Sequence, residues 1–118
     1  MTPEEHDEVC AVVSHLPHLL SNVYLKTFFE HQRDWALFGG KSFRDWTRIA
    51  GACPGIWMDI FWMNRKRIIA HLDRFQSKLR EIASWLEEGN EEKFRAFLMD
   101  ALQLKEATKR EVEFQDRG

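Results

Sequence analysis

Val9, Val12, Val13, Leu16, Leu19, Leu20 and Val23 recur three and four residues apart, the spacing that keeps one apolar stripe on one side of a helix. Ahead of them, Thr2 offers a capping side chain, Pro3 suits the first helical position, and Glu4 and Glu5 face the positive end of the helix dipole. These signals predict a helix from residue 3 to about Phe29. Residues 30–42, EHQRDWALFGGKS, read as a loop whose clearest break is Gly39-Gly40. A short helix is expected over residues 43–52, stopped by Pro54. A long one follows over residues 54–88 and is ended by Gly89-Asn90. The last helix, near residues 91–113, carries Phe94, Phe97, Leu98, Ala101, Leu102 and Leu104 on one side. No segment alternates as a strand would, so the fold class is all-α.

The long helix carries more apolar surface than one seam needs. Phe61, Ile68, Leu72, Phe75, Leu79, Ile82 and Leu86 keep a coiled-coil-like spacing, while Trp57, Ile60, Trp62, Met63, Ile69 and Trp85 lie outside it. A helix apolar on more than one face is normally buried on more than one face. Self-association is therefore expected, against the alternative of a compact monomer with half-exposed tryptophans.

At 118 residues the chain is one domain, long enough for a core and short for an enzyme that also folds a nucleotide-binding half. A net charge of −2, with lysines and arginines interleaved among acids, leaves no basic field for nucleic acid or an acidic membrane. No apolar run approaches a membrane span, and the acidic start MTPEEHDE argues against a signal or transit peptide, which makes the cytoplasm the expected compartment. Cys10 and Cys53 have no metal or redox spacing and read as reduced thiols.

Two polar clusters interrupt this pattern. In VVSHLPHLLSN, Ser14, His18 and Asn22 fall one turn apart on the side opposite Leu16 and Leu20, with His15 at the edge of that stripe. Pro17 has no N–H and its ring crowds the carbonyl of Val13, so the helix should bend and free a carbonyl that needs a partner. On composition alone, a solvated face with a tolerated proline is the favoured reading over a ligand site. A metal site from His15 and His18 is weaker, since no carboxylate shares their face. In KSFRDWTRIAGACPGIWMD, Arg44, Asp45 and Arg48 sit beside Phe43 and Trp46, with Trp57 following the proline turn. A surface ion pair contributes little. The other reading has Arg48, held by Asp45 and walled by aromatics, offering a bidentate clamp to a carboxylate.

HDEVCAVVSHLPHLL, then FRDWTRIA, then PGIWMDIFWMNR, in that order and over nearly the whole chain, resemble the C-terminal helical domain of the prephenate dehydrogenase family, which includes arogenate and cyclohexadienyl dehydrogenases. The resemblance implies long antiparallel helices interlocked in a homodimer. It also implies oxidative decarboxylation of prephenate or arogenate, with hydride passing to NAD or NADP, in making the tyrosine precursor. By position, Ser14, His15 and His18 line the substrate pocket in this family and His18 lies closest to substrate recognition. The resemblance further implies that Arg48 binds a substrate carboxylate, that Asp45 and Asn22 support the region, and that Trp57 reaches the pocket across the dimer. The family's nucleotide-binding Rossmann domain has no counterpart in this chain, where no glycine-rich strand-turn-helix occurs. That domain would act in cis or in trans, and it carries the general base, so no histidine here takes that role and the chain alone is expected to be inactive. The start at MTPEEHD lies near where the first helix of such a domain begins, as in a truncated form or a separately encoded half. Ser42, Ala52-Cys53 and Ile56 depart from residues common in the family and bear on pocket shape. The competing function is a non-catalytic helical dimerisation or regulatory module, which would not require Ser14, His15, His18 and Arg48 together.

Overall fold

The computed structural model describes residues 1–117, and among them every regular element is a helix. The chain begins as the sequence predicts. In α1 (Pro3–Cys10) the Glu5 N–H donates to Thr2 Oγ1 at 3.1 Å while the Thr2 N–H donates back to Glu5 at 3.3 Å, a closed capping box.

The helix expected to run on to Phe29 instead changes register. Residues Ala11–His15 form a π-helical turn in which the Leu16 N–H reaches back five residues to the Ala11 carbonyl, and α2 (Leu16–Phe29) starts beyond it. Pro17 thereby sits directly after the widened turn, within a helical run that continues unbroken from α1. In place of the expected bend the helix has a widened turn, a single π-bulge of the kind found inside α-helices.

Two further expectations are corrected downstream. The loop after α2 contains a 3₁₀ segment, Arg33–Phe38, and α3 (Lys41–Thr47) starts before residue 43 and stops well short of residue 52. The long helix is two: α4 (Pro54–Met63) and α5 (Arg65–Glu88) are separated by Asn64, whose φ of −111° and ψ of 21° lie outside the helical region. The Asn64 side chain explains the break, because it is committed to bonds off its own helix, the competition that makes asparagine a poor helix-interior residue. The last helix, α6 (Glu91–Arg117), outlasts its predicted end near residue 113.

The described chain forms two compact units that divide within α5, after Phe75. In the first, Ala11, Leu16 and Ile68 are buried, with Leu19, Leu20, Phe61 and Leu72 packed on them. Aromatic pairs Tyr24–Trp46 (6.0 Å between centroids) and Phe29–Phe43 (5.1 Å) set α3 on α2. The fully buried Ser21 hydroxyl donates to the Trp46 carbonyl at 2.7 Å, so a polar group inside the stripe is satisfied by the end of α3. Glu8 joins α1 to α5 by accepting from His71 and pairing with Arg67 at 3.5 Å.

In the second unit, Gly89 takes a φ of +68°, the left-handed conformation that ends α5, and the Asn90 N–H closes back on the Trp85 carbonyl at 2.8 Å. Asn90 then caps α6 by accepting from the Lys93 N–H at 3.1 Å. Trp85, Phe94 and Phe97 pack near this turn, yet Leu79, Leu86, Leu98, Leu102 and Phe114 are exposed.

Candidate functional site

The π-turn and Pro17 place His18 one turn above Ser14, and its imidazole binds back on the helix. His18 Nδ1 lies 2.9 Å from the Ser14 carbonyl oxygen. A carbonyl only accepts, so Nδ1 carries a proton and Nε2 is the nitrogen left free for another group. Asn22, one turn further, donates to the His18 carbonyl at 2.8 Å and accepts from the Gly51 N–H at 3.0 Å. The predicted Ser14–His18–Asn22 stripe is therefore a hydrogen-bonded ladder, in which Ser14 takes part through its carbonyl. The ladder also pins the turn after α3, where Gly51 holds a φ of +73° that side-chain-bearing residues rarely adopt.

Trp57, near the start of α4, stacks on His18 with centroids 3.9 Å apart and planes 23° from parallel. Between α2 and α4 lies a cavity of about 250 Å³ lined by His18, Asn22, Gly51, Trp57, Met58 and Phe61. Trp57 meets His18 within one chain.

His15 stands apart from this cavity. Its ring meets Trp57 and Phe61 edge-on, at 6.4 Å and 6.5 Å, and borders a second hollow of about 230 Å³ with His6, Asp7, Cys10, Met63 and Asn64. The two histidines of the motif thus serve different hollows, with Trp57 and Phe61 touching both rings or their surroundings. Burial lowers the His15 pKa from its ordinary 6.5; Asp7 opposes that and His18 adds to it. The unfolded chain accordingly binds a proton at this position before the folded one does. Stability conferred by neutral His15 is complete above pH 6.5, falls as pH drops from 6.5 towards the lowered value, and levels off below it. Denaturant melts across this window should show a smaller loss of stability for His15→Gln than for the natural sequence.

Arg48 caps the C-terminal end of α3 and is exposed, with no hydrogen bond or ion pair among the described residues. Asp45 does not hold it. Its carboxylate pairs with Lys41 at 2.8 Å, because these residues lie one full turn apart on the same face of α3 while Arg48 already leaves the helix. The structure thus brings His18, Asn22 and Trp57 together, leaves Arg48 free at the end of α3, and moves His15 to the neighbouring hollow. Three contributors were not singled out from the sequence: Gly51, Ser21 and Asn64. A glycine two residues before a cysteine-proline and a serine inside an apolar stripe are visible signals, whereas nothing local marks Asn64. A third hollow of about 310 Å³ beside Gly89 is lined largely by apolar residues, Trp85, Leu86, Phe94 and Leu98 among them, and holds none of the expected site residues.

Residues 2–100 match the family described as prephenate dehydrogenase, dimerization domain. Prephenate dehydrogenase of Bacillus subtilis is 40% identical over 85 residues, which are 70% of this chain and 22% of that protein. Cyclohexadienyl dehydrogenase of Zymomonas mobilis is 33% identical over 86 residues, 70% of this chain and 29% of that protein. The chain therefore spans less than a third of either relative's length. Among solved structures, prephenate dehydrogenase from A. aeolicus, in complex with hydroxyphenyl propionate and NAD+, superposes with a TM-score of 0.77 at 32% identity, covering 86% of this chain and 36% of that one.

Proposed function

The chain belongs to the prephenate dehydrogenase dimerization-domain family, and from that premise we propose that it supplies the substrate-binding wall and the dimer surface of an NAD(P)-dependent dehydrogenase acting on prephenate, or on arogenate, in tyrosine biosynthesis. The observation that carries this reading is the cavity between α2 and α4, where a histidine with a free Nε2 stacks on a tryptophan. Its volume of about 250 Å³ falls just short of the usual range for a complete ligand pocket, roughly 300–1,000 Å³. That suits one wall of a site whose remainder comes from elsewhere.

The chemistry divides accordingly. NAD or NADP, held by a Rossmann domain in cis or in trans, accepts the hydride from the carbon that bears the ring hydroxyl, and aromatisation drives the loss of carbon dioxide. The residues of this chain do positioning work. Trp57 offers a flat face to a ring, His18 Nε2 accepts a hydrogen bond from a substrate hydroxyl, and Asn22 holds the Gly51 turn that closes the cavity. Arg48, with no competing ion pair, takes a carboxylate through its planar fork. Ser14 shapes the wall by holding His18, and His15 borders it through Trp57.

Homodimerisation belongs to the same reading. Three apolar residues are buried among the described residues of the single chain, and the exposed leucines of α5 and α6 are the surface a second copy would cover. Since the general base and nucleotide site are assigned to the other domain, the purified chain is expected to give no reduced nucleotide from prephenate with NAD+ or NADP+. Measurable turnover by the chain alone would refute the division of labour.

A further inference from the structure

Asn64, buried where α4 passes into α5, makes contacts that determine its own orientation. Its Nδ2 lies 2.8 Å from the Asp7 carbonyl oxygen, a group that only accepts, and its Oδ1 lies 3.3 Å from an Arg67 guanidinium nitrogen, a group that only donates. Both constraints give the amide one sense, so an N–H₂ group faces His15 Nδ1 at 3.3 Å. His15 Nδ1 must then accept, and its ring proton sits on Nε2. In His18 the assignment is reversed, because Nδ1 donates to the Ser14 carbonyl.

We propose that Asn64 is a positioning residue that fixes His15 as the Nε2–H tautomer, opposite to His18, so that at neutral pH the motif presents one ring donor and one ring acceptor. A group reaching His15 finds an N–H and is selected to be a carbonyl or carboxylate oxygen. A group reaching His18 finds a lone pair and is selected to be a hydroxyl. Protonating His15 would set a second N–H against the Asn64 amide, donor against donor, which opposes charging in the same direction as burial does. The titratable and charged groups around His15 are His6, Asp7 and Cys10 from α1, His18 from α2 and Arg67 from α5, while α4 faces it with apolar side chains. The group bonded to Nδ1 is none of these but the neutral Asn64 amide.

The tautomers rest on hydrogen bonds alone; the identity of the ligand rests on the function proposed above. Nitrogen-proton correlation spectra of the imidazole rings in the ligand-free chain test the first directly. His15 is expected to show an unprotonated Nδ1 and a protonated Nε2 at neutral pH, and His18 the reverse. Asn64→Asp replaces the donor by a carboxylate, so His15 should gain a proton on Nδ1 and its titration midpoint should rise by about one pH unit or more, with His18 unchanged. Both histidines in one tautomer, or an Asn64→Asp chain that melts like the natural one yet leaves the His15 signals unmoved, would overturn the proposal. If Asn64→Asp does not fold, the natural chain's spectrum decides. Failure of hydroxyphenyl propionate to perturb His18 would count against the ligand reading and leave the tautomers standing.

Discussion

Replacing Leu98 and Leu102 together by glutamate is expected to convert a chain that sediments as a dimer at micromolar concentration into a monomer, with a large fall in melting temperature. The two leucines lie one turn apart on α6, so they share a face, and they are 51% and 54% exposed in the single chain. Burying a leucine contributes about 1.5–3 kcal/mol. Losing two, and forcing two carboxylates to be desolvated, removes about 5 kcal/mol or more, which weakens association by more than about a thousandfold. Folding and association are linked here because, among the described residues of the isolated chain, the buried apolar ones are Ala11, Leu16 and Ile68. Equilibrium sedimentation and thermal melts over a concentration series measure both effects. A natural chain that is monomeric at micromolar concentration would sink the dimer claim.

Arg48→Ala is expected to reduce affinity for hydroxyphenyl propionate by about ten- to a hundredfold, the equivalent of one charge-assisted hydrogen-bonded contact of about 1.5–3 kcal/mol. The fold should be unaffected, since Arg48 is exposed and makes no hydrogen bond or ion pair among the described residues. Arg48→Lys should recover part of the loss, because an ammonium restores the charge without the two parallel donors of the guanidinium. Asp45→Ala should leave affinity nearly unchanged, since Asp45 is spent on Lys41. Calorimetric titration of the three variants beside the natural chain separates these outcomes. Equal affinity in the natural and Arg48→Ala chains would remove the carboxylate clamp.

Periodicity and caps carried most of the fold into view. The Thr2 cap and the Gly89-Asn90 stop are local events, decided by residues within a turn or two of one another, and they stand as expected, whereas Val9, Val12, Val13 and Val23 of the first stripe and Leu98, Leu102 and Leu104 of the last are exposed in the single chain. Where the expectation failed, a distant partner decided. Asn64 breaks the long helix because Asp7, 57 residues away, accepts from its side chain, and no window around residue 64 contains that fact. Pro17 announced a distortion, but both a bend and a π-turn relieve the same lost hydrogen bond, and the sequence does not choose between them.

The site was legible in the same uneven way. A helical wheel places His18 and Asn22 on one face because that depends on spacing along one helix. It cannot show that Trp57 stacks on His18, or that His15, a single residue off the stripe, turns to another hollow. Asp45 was assigned to Arg48 on proximity in sequence, yet in α3 the full-turn spacing to Lys41 gives the better geometry.

The central claim is that the cavity between α2 and α4 receives the aromatic carboxylate. Amide and indole chemical shifts of the labelled chain, followed during titration with hydroxyphenyl propionate, test it most directly. Saturable changes at Asn22, Gly51 and the Trp57 indole, with the Trp85 and Phe94 signals beside the Gly89 hollow unmoved, are the predicted result. Changes confined to that hollow, or none at any of these positions when ligand saturates the relatives' sites, would contradict it.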